Sequence, residues 1–111
     1  MRKWMQTNAL VLPVFLRAPD SSPAAPVFET GSTLLDSCNA PNLSQHWYCL
    51  GYVASIADLH VEREQVCPPL GATKDDLKRV VKSYLAANPV TLNDPASDGV
   101  LFALMDAFPC E

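Results

Sequence analysis

Four cysteines in a chain of 111 residues constrain the fold more than any other feature, because covalent cross-links can supplement a small core. They are Cys38, Cys49, Cys67 and Cys110. An even number in so short a chain is typical of a two-disulfide framework in a protein that leaves the cytosol, whereas in a reducing compartment they would be buried free thiols. Of the three pairings that four cysteines allow, proximity in sequence and loop geometry favour Cys38 with Cys49 and Cys67 with Cys110.

Cysteine spacing and charge argue against two common functions of small proteins. Structural zinc needs closely spaced ligand pairs, but the sequence has no C-x-x-C motif, and neither His46 nor His60 completes a zinc pattern. The formal net charge is -4, and Lys and Arg occur singly or in pairs, which is unlike a surface that binds a phosphate backbone. We therefore expect no metal, no other cofactor and no nucleic-acid partner.

The start of the chain has the layout of an export signal. Two basic residues precede the apolar run at residues 9–16, and a stretch rich in Pro, Ser and Ala follows it, although Pro13 and Arg17 are irregular for such a signal. We expect a leader over residues 1–28, a domain over 29–111 and a periplasmic location, or a cytoplasmic one if the leader does not function. The apolar run is far shorter than the roughly 18 residues of a spanning helix, which predicts no membrane anchor.

Helical periodicity accounts for the first half of the remaining chain, and no β-type alternation competes with it. A short helix is expected with Ser32 as its N-cap, and it must end before Pro41. A long helix is expected over about residues 43–64, in which Gly51 indicates either the close approach of another backbone or a tolerated glycine. The apolar stripe expected to face the core consists of Trp47, Leu50, Ala54, Ala57 and Val61. Cys49, Val53 and Ile56 widen this face, which suits a helix packed on more than one side.

Two further helices are predicted in the second half by their start and stop signals. Thr73 and Asp76 form a variant of the capping box, and apolar residues then recur at helical spacing until Pro89 ends the helix. A polar loop follows, after which Asp94 and Pro95 supply an N-cap and a first-turn proline for the last helix. The expected fold is all-α, a compact bundle of about four helices stapled by two disulfides.

No set of residues has the spacing of an active site. A nucleophile or a proton-transfer pair would have to come from His46, His60, Ser55, Asp58, Glu62 and Glu64. Asp58 and Glu62 lie one helical turn apart, but on a helix this pattern is more typical of a solvated edge than of an acid–base pair. We expect no catalytic residue.

Five short motifs in unbroken order give the chain a resemblance to a known family. They are L-L-x-x-C from Leu34, C-x-G-Y-V-x-x-I-x-D from Cys49, C-P-P-x-G-A-T-x-x-x-L from Cys67, V-V-K-S-Y-L-x-x-N-P from Val80 and A-L-x-x-A-F-P-C from Ala103. Over about residues 32–110 the chain resembles the small secreted immunity proteins, of the Rap or Tai type, that protect bacteria from the cell-wall amidase effectors of type VI secretion.

The resemblance implies a helical domain, usually a homodimer, that binds its cognate peptidoglycan amidase effector and occludes the active site. It also implies that a loop near the third helix enters the amidase cleft. The corresponding partner-binding residues here are Asn88, Pro89, Val90, Thr91, Leu92, Asn93 and Asp94. The alternative is a periplasmic chaperone-like or general protein-binding module without enzymatic activity, because a fold does not fix a function.

Overall fold

Four α-helices and one short 3-10 helix form the part of the chain that the computed structural model describes, residues 26–111. The elements are α1 (Gly31–Asn39), α2 (Leu43–Glu62), α3 (Lys74–Ala87), the 3-10 helix (Pro89–Asn93) and α4 (Ala96–Ala107). Within these residues the only β-type pairing is an isolated bridge between Thr30 and Pro95. The expected all-α class is confirmed, whereas residues 1–25 of the predicted leader lie outside the described residues.

Helix α1 begins at a different cap from the one expected. Thr30 is the N-cap: its hydroxyl accepts a hydrogen bond from Thr33 N at 3.2 Å, and its own backbone N–H donates to Thr33 Oγ1 at 3.0 Å. The prediction of Ser32 as N-cap was wrong, because this reciprocal pair of bonds satisfies two backbone donors that Ser32 cannot reach together.

Helix α3 begins as the sequence predicted. Thr73 Oγ1 accepts from Asp76 N at 3.1 Å, and the Asp76 carboxylate accepts from Thr73 N at 2.9 Å, which is the expected capping box. Helix α4, in contrast, has no side-chain cap, and Asp94 does not serve as one. The N–H of Ala96 donates instead to the backbone carbonyl of Glu29 at 2.9 Å, so a distant segment supplies the acceptor.

All four α-helices contribute to one core, together with Val66 in the connection between α2 and α3. Its largest fully buried side chains are Leu34, Cys38, Cys49, Val53, Val66, Val81, Leu85, Val100 and Leu104. Helix α3 contributes the face that its periodicity predicted, whereas only part of the wider face predicted for α2 is buried. Cys49 and Val53 of α2 are fully buried, but Trp47 and Val61 remain 61% and 42% exposed.

Two disulfides link the helices in the pairing that was expected. Cys38–Cys49 joins α1 to α2 with a Cα–Cα distance of 5.1 Å, and Cys67–Cys110 joins the α2–α3 connection to the segment after α4 at 5.0 Å. The second disulfide spans 43 residues, a loop whose closure stabilises the fold by about 4 kcal/mol in the chain-entropy model.

Candidate partner-binding surface

The segment predicted to contact a partner, residues 88–94, is a hydrogen-bonded 3-10 turn and is called the contact loop below. Pro89 fixes the first position of the turn, and both the N–H and the hydroxyl of Thr91 donate to the carbonyl of Asn88, at 2.9 and 2.7 Å. The side-chain amide of Asn88 donates to the carbonyl of Tyr84 at 2.8 Å, which ties the loop to the end of α3. The expected polar loop is thus a hydrogen-bonded 3-10 turn.

The contact loop is also fixed to the start of α1. The N–H of Gly31 donates to the carbonyl of Asp94 at 3.0 Å. A Cβ at Gly31 would lie 2.6 Å from the Thr91 carbonyl oxygen and 3.1 Å from Leu92 Cα, so only glycine allows this approach. Leu92 in turn packs against the core. These contacts hold the loop in one position before any partner binds.

The seven predicted partner-binding residues separate into outward and inward sets. Asn88, Thr91 and Leu92 are partly buried and make the supporting contacts. The exposed residues are Pro89, Val90, Asn93 and Asp94. Val90 is 82% exposed, which is a high value for a branched apolar side chain on a rigid turn. The outward set can contact a partner, while the inward set determines the shape of the loop.

A groove of about 750 Å³ lies beside the contact loop, between α3 and α4. Asn88 lines it together with residues that include Val80, Tyr84, Ala103 and Asp106. Its apolar walls and scattered polar groups suit a segment of a protein partner better than a charged small molecule. The groove and the contact loop therefore form one continuous candidate surface.

A second exposed apolar feature lies on α2. Six apolar residues recur at steps of four, three, four, three and four residues, which is the spacing of a helix–helix seam. This α2 seam consists of Leu43, Trp47, Leu50, Ala54, Ala57 and Val61. Leu50 and Ala57 are buried against the bundle, but Leu43 is 67% and Trp47 is 61% exposed. A Cβ added at Gly51 would meet no atom within 4 Å, so no backbone of the domain itself approaches this glycine.

Some charged side chains on α3 make polar contacts, one of them within the helix and another to α2. Four of the eight Lys and Arg residues of the chain lie on this helix. Arg79 pairs with Asp76 at 3.0 Å, and the Lys78 ammonium donates to His46 Nδ1 at 2.8 Å. Hydrogen bonds from Thr73 hold the pKa of the Asp76 carboxyl below its usual value.

A tyrosine–carboxylate contact that no sequence pattern indicated ties the segment before α1 to α2. The Tyr48 hydroxyl donates to Glu29 Oε1. This hydrogen bond, with some burial and the nearby negative charge, raises the pKa of Tyr48 to about 12. The contact holds Glu29 in place, and the backbone carbonyl of the same residue accepts the hydrogen bond from the Ala96 N–H at the start of α4.

Three of the residues considered for catalysis, His46, His60 and Ser55, make ordinary structural hydrogen bonds. His60 Nδ1 donates to Gln65 Oε1 at 2.6 Å, and Ser55 Oγ donates to the carbonyl of Tyr52 at 2.8 Å. His46 contacts Lys78 rather than a carboxylate. Within residues 26–111 no group of three or more His, Cys, Asp or Glu side chains has the arrangement of a metal site. In the same range no helix is long and apolar enough to cross a membrane.

Comparison with known proteins gives one match. The family model described as Rap1a immunity proteins matches residues 30–110, which include all four helices and both disulfides. Neither the curated proteins nor the solved structures contain a significant match to the chain.

Proposed function

This chain belongs to the Rap1a immunity protein family, and we propose that it binds a peptidoglycan amidase effector of type VI secretion in the periplasm and occludes the active site of that enzyme. Membership of the family implies an effector-immunity role. The amidase as target follows from the resemblance of the five sequence motifs, whereas the contact loop supports inhibition by occlusion and the two disulfides support the periplasm. No catalytic residue and no cofactor are part of the proposal.

The rigid contact loop is the observation that carries the proposal. An occluding segment must keep its shape in a cleft, and a segment that is ordered before binding loses less conformational entropy on association. Hydrogen bonds to Tyr84 and Gly31 fix the loop at both ends, while Val90 projects into solvent. We expect Val90 to be buried in the active-site cleft of the amidase, and the α3–α4 groove to contact the rim of that cleft.

The experiment is a titration of candidate type VI amidases with the oxidised protein, read as hydrolysis of peptidoglycan. We expect saturable inhibition near one-to-one stoichiometry. Val90→Asp should weaken inhibition by at least about tenfold, the effect of losing a moderate interface contact, and should leave the melting temperature unchanged.

Leu70→Asp is the matched control, because Leu70 is also a fully exposed apolar residue but lies outside the contact loop. It should inhibit as the unaltered protein does. Equal inhibition by both variants would contradict the loop assignment. Broad, weak capture of unfolded proteins with no inhibition of any amidase would support the chaperone-like alternative instead.

An oxidising compartment is supported by the two disulfides, which persist in the periplasm and are reduced in the cytosol. Cell fractionation with alkylation of free thiols tests this directly. Recovery in the periplasmic fraction with all four cysteines protected is expected. Recovery in the cytosol with free thiols would contradict the location.

A homodimer is supported by the α2 seam. Its most exposed residues, Leu43 and Trp47, lie in the N-terminal half, and the exposed Val61 lies at the C-terminal end. In an antiparallel pair of α2 helices, Trp47 of each copy lies opposite the C-terminal half of the other helix, whereas a parallel pair would bring Trp47 against its own copy. A two-fold interface requires this self-complementarity.

Light scattering during gel filtration tests the dimer. The unaltered protein is expected to elute as a dimer and Trp47→Glu as a folded monomer. Phe102→Glu is the control, because Phe102 is also about half exposed but lies on α4, away from the seam. A monomeric unaltered protein, or a dimeric Trp47→Glu variant, would contradict the seam assignment.

A further inference from the structure

The two disulfides lie in contrasting environments. Cys38 and Cys49 are 2% and 0% exposed and belong to the core cluster, surrounded by side chains of α1, α2 and the other helices. Cys67 is exposed and Cys110 is only partly buried. Most residues near the second disulfide are open as well, since Gln65, Pro69, Leu70, Pro109 and Glu111 are exposed, whereas Val66 directly before Cys67 is buried.

Exchange of a disulfide requires a thiolate to reach one sulfur along the direction of the S–S bond, so access decides which disulfide reacts in a folded protein. We propose that Cys67–Cys110 is a site of thiol–disulfide exchange in the native fold, open to an external dithiol, whereas Cys38–Cys49 reacts only after the domain unfolds. This proposal does not depend on the identity of the partner protein.

The exchange proceeds in two balanced steps. A thiolate of the dithiol attacks Cys67 Sγ, the S–S bond breaks, and the electron pair leaves with Cys110 Sγ, which takes a proton from water. The second thiolate of the dithiol then attacks the sulfur of the same dithiol molecule that is bonded to Cys67 in the mixed disulfide. Cys67 leaves as a thiolate, which is protonated in turn. The protein gains two thiols, and the dithiol is oxidised to a cyclic disulfide.

The fold retains noncovalent contacts at this point after the bond is cut. Val66, directly before Cys67, is fully buried, and Phe108 packs against the core. The N–H of Cys67 donates to the carbonyl of Phe108 at 2.8 Å. Cys38–Cys49 still joins α1 to α2. Reduction should therefore loosen the last residues after α4, beside the α3–α4 groove, without unfolding the bundle.

Graded reduction of the oxidised full chain with dithiothreitol tests the proposal. Samples are quenched with iodoacetamide, and labelled peptides are identified by mass spectrometry. Cys67 and Cys110 should be fully labelled under conditions that leave Cys38 and Cys49 unlabelled, with the helical circular dichroism signal retained. Labelling of all four cysteines together, or of Cys38 and Cys49 first, would overturn the proposal.

Sub-denaturing urea separates attack on the native state from attack on an unfolded state. Reduction of Cys67–Cys110 should be insensitive to urea, and reduction of Cys38–Cys49 should accelerate with it. The double variant Cys67→Ser, Cys110→Ser provides a second check. It should keep its helical signal and a protected Cys38–Cys49 disulfide. Rapid reduction of that disulfide in the variant would overturn the claim that the bundle stays folded without the Cys67–Cys110 bond.

Discussion

Gly31→Ala should destabilise the protein and move the contact loop, because the added methyl group has no space. Its Cβ would lie 2.6 Å from the Thr91 carbonyl oxygen, a distance shorter than the contacts that Cβ atoms make in folded proteins. Because this oxygen belongs to the backbone and not to the end of a flexible side chain, the backbone itself would have to move. Overpacking of this kind costs about 1–3 kcal/mol. Against this cost, alanine stabilises a helix by up to about 1 kcal/mol relative to glycine, because alanine loses less conformational entropy on folding. The expected net loss is about 1–2 kcal/mol.

A loss of this size lowers the melting temperature of a domain with fewer than 100 residues by roughly 5–15 °C. Urea denaturation followed by circular dichroism gives the free energy of unfolding, and the amidase assay gives inhibition. Both should fall, because the displaced backbone belongs to Thr91 and Leu92 of the contact loop.

Gly51→Ala is the matched control, since it is the same substitution in another helix. A Cβ at Gly51 meets nothing within 4 Å. This variant should therefore gain about 0.5–1 kcal/mol from the reduced entropy of its unfolded chain. If Gly31→Ala were as stable as Gly51→Ala and inhibited normally, the close packing of α1 on the loop would be refuted.

Three further predictions concern pH and backbone strain. The pKa of Tyr48 is raised to about 12 in the fold, so the stability that its hydrogen bond to Glu29 contributes is present below pH 10 and is lost as the pH rises from there towards 12. Thermal melts of Tyr48→Phe should therefore show a smaller loss of stability over this alkaline range. The pKa of Asp76 is lowered below 3.8, so the stability that its hydrogen bonds to Thr73 contribute is present above that pH and is lost as the pH falls below it. In the same melts, the melting temperature of Asp76→Asn should depend less on pH in the acid range. Glu64 has a φ of 60°, which costs a residue with a Cβ about 1–2 kcal/mol, so Glu64→Gly should raise the free energy of unfolding in urea by up to about 1 kcal/mol; a decrease would contradict the strain.

The sequence predicts α3 well because its signals are local. The capping box of Thr73 and Asp76 and the apolar face that follows depend only on residues within the helix. The orientation of α2 is not local, since apolar residues lie on two overlapping faces. The disulfide to Cys38 requires Cys49 to face α1, and this turns Trp47 and Val61 towards solvent.

The candidate surface was only partly predictable for a similar reason. Its position followed from the resemblance and from the proline that ends α3. Its rigid form depends on Gly31, which is distant in sequence and contributes backbone contacts rather than a recognisable motif. The start of α4 was mispredicted at Asp94 because the carbonyl of Glu29 satisfies the Ala96 N–H there. Side-chain patterns carry no information on such acceptors.

The bridge between Thr30 and Pro95 has a consequence for the kinetics of folding. It joins the residue before α1 to the residue before α4, across the whole of α1, α2 and α3, whereas Cys38 and Cys49 are only 11 residues apart. Contacts between distant residues form late, because closing a long loop costs entropy before the contact is gained. The α1–α2 hairpin should therefore form early on refolding, and the contact loop should take its final shape only when α4 reaches residue 30. Helical signal should accordingly recover before inhibitory activity does.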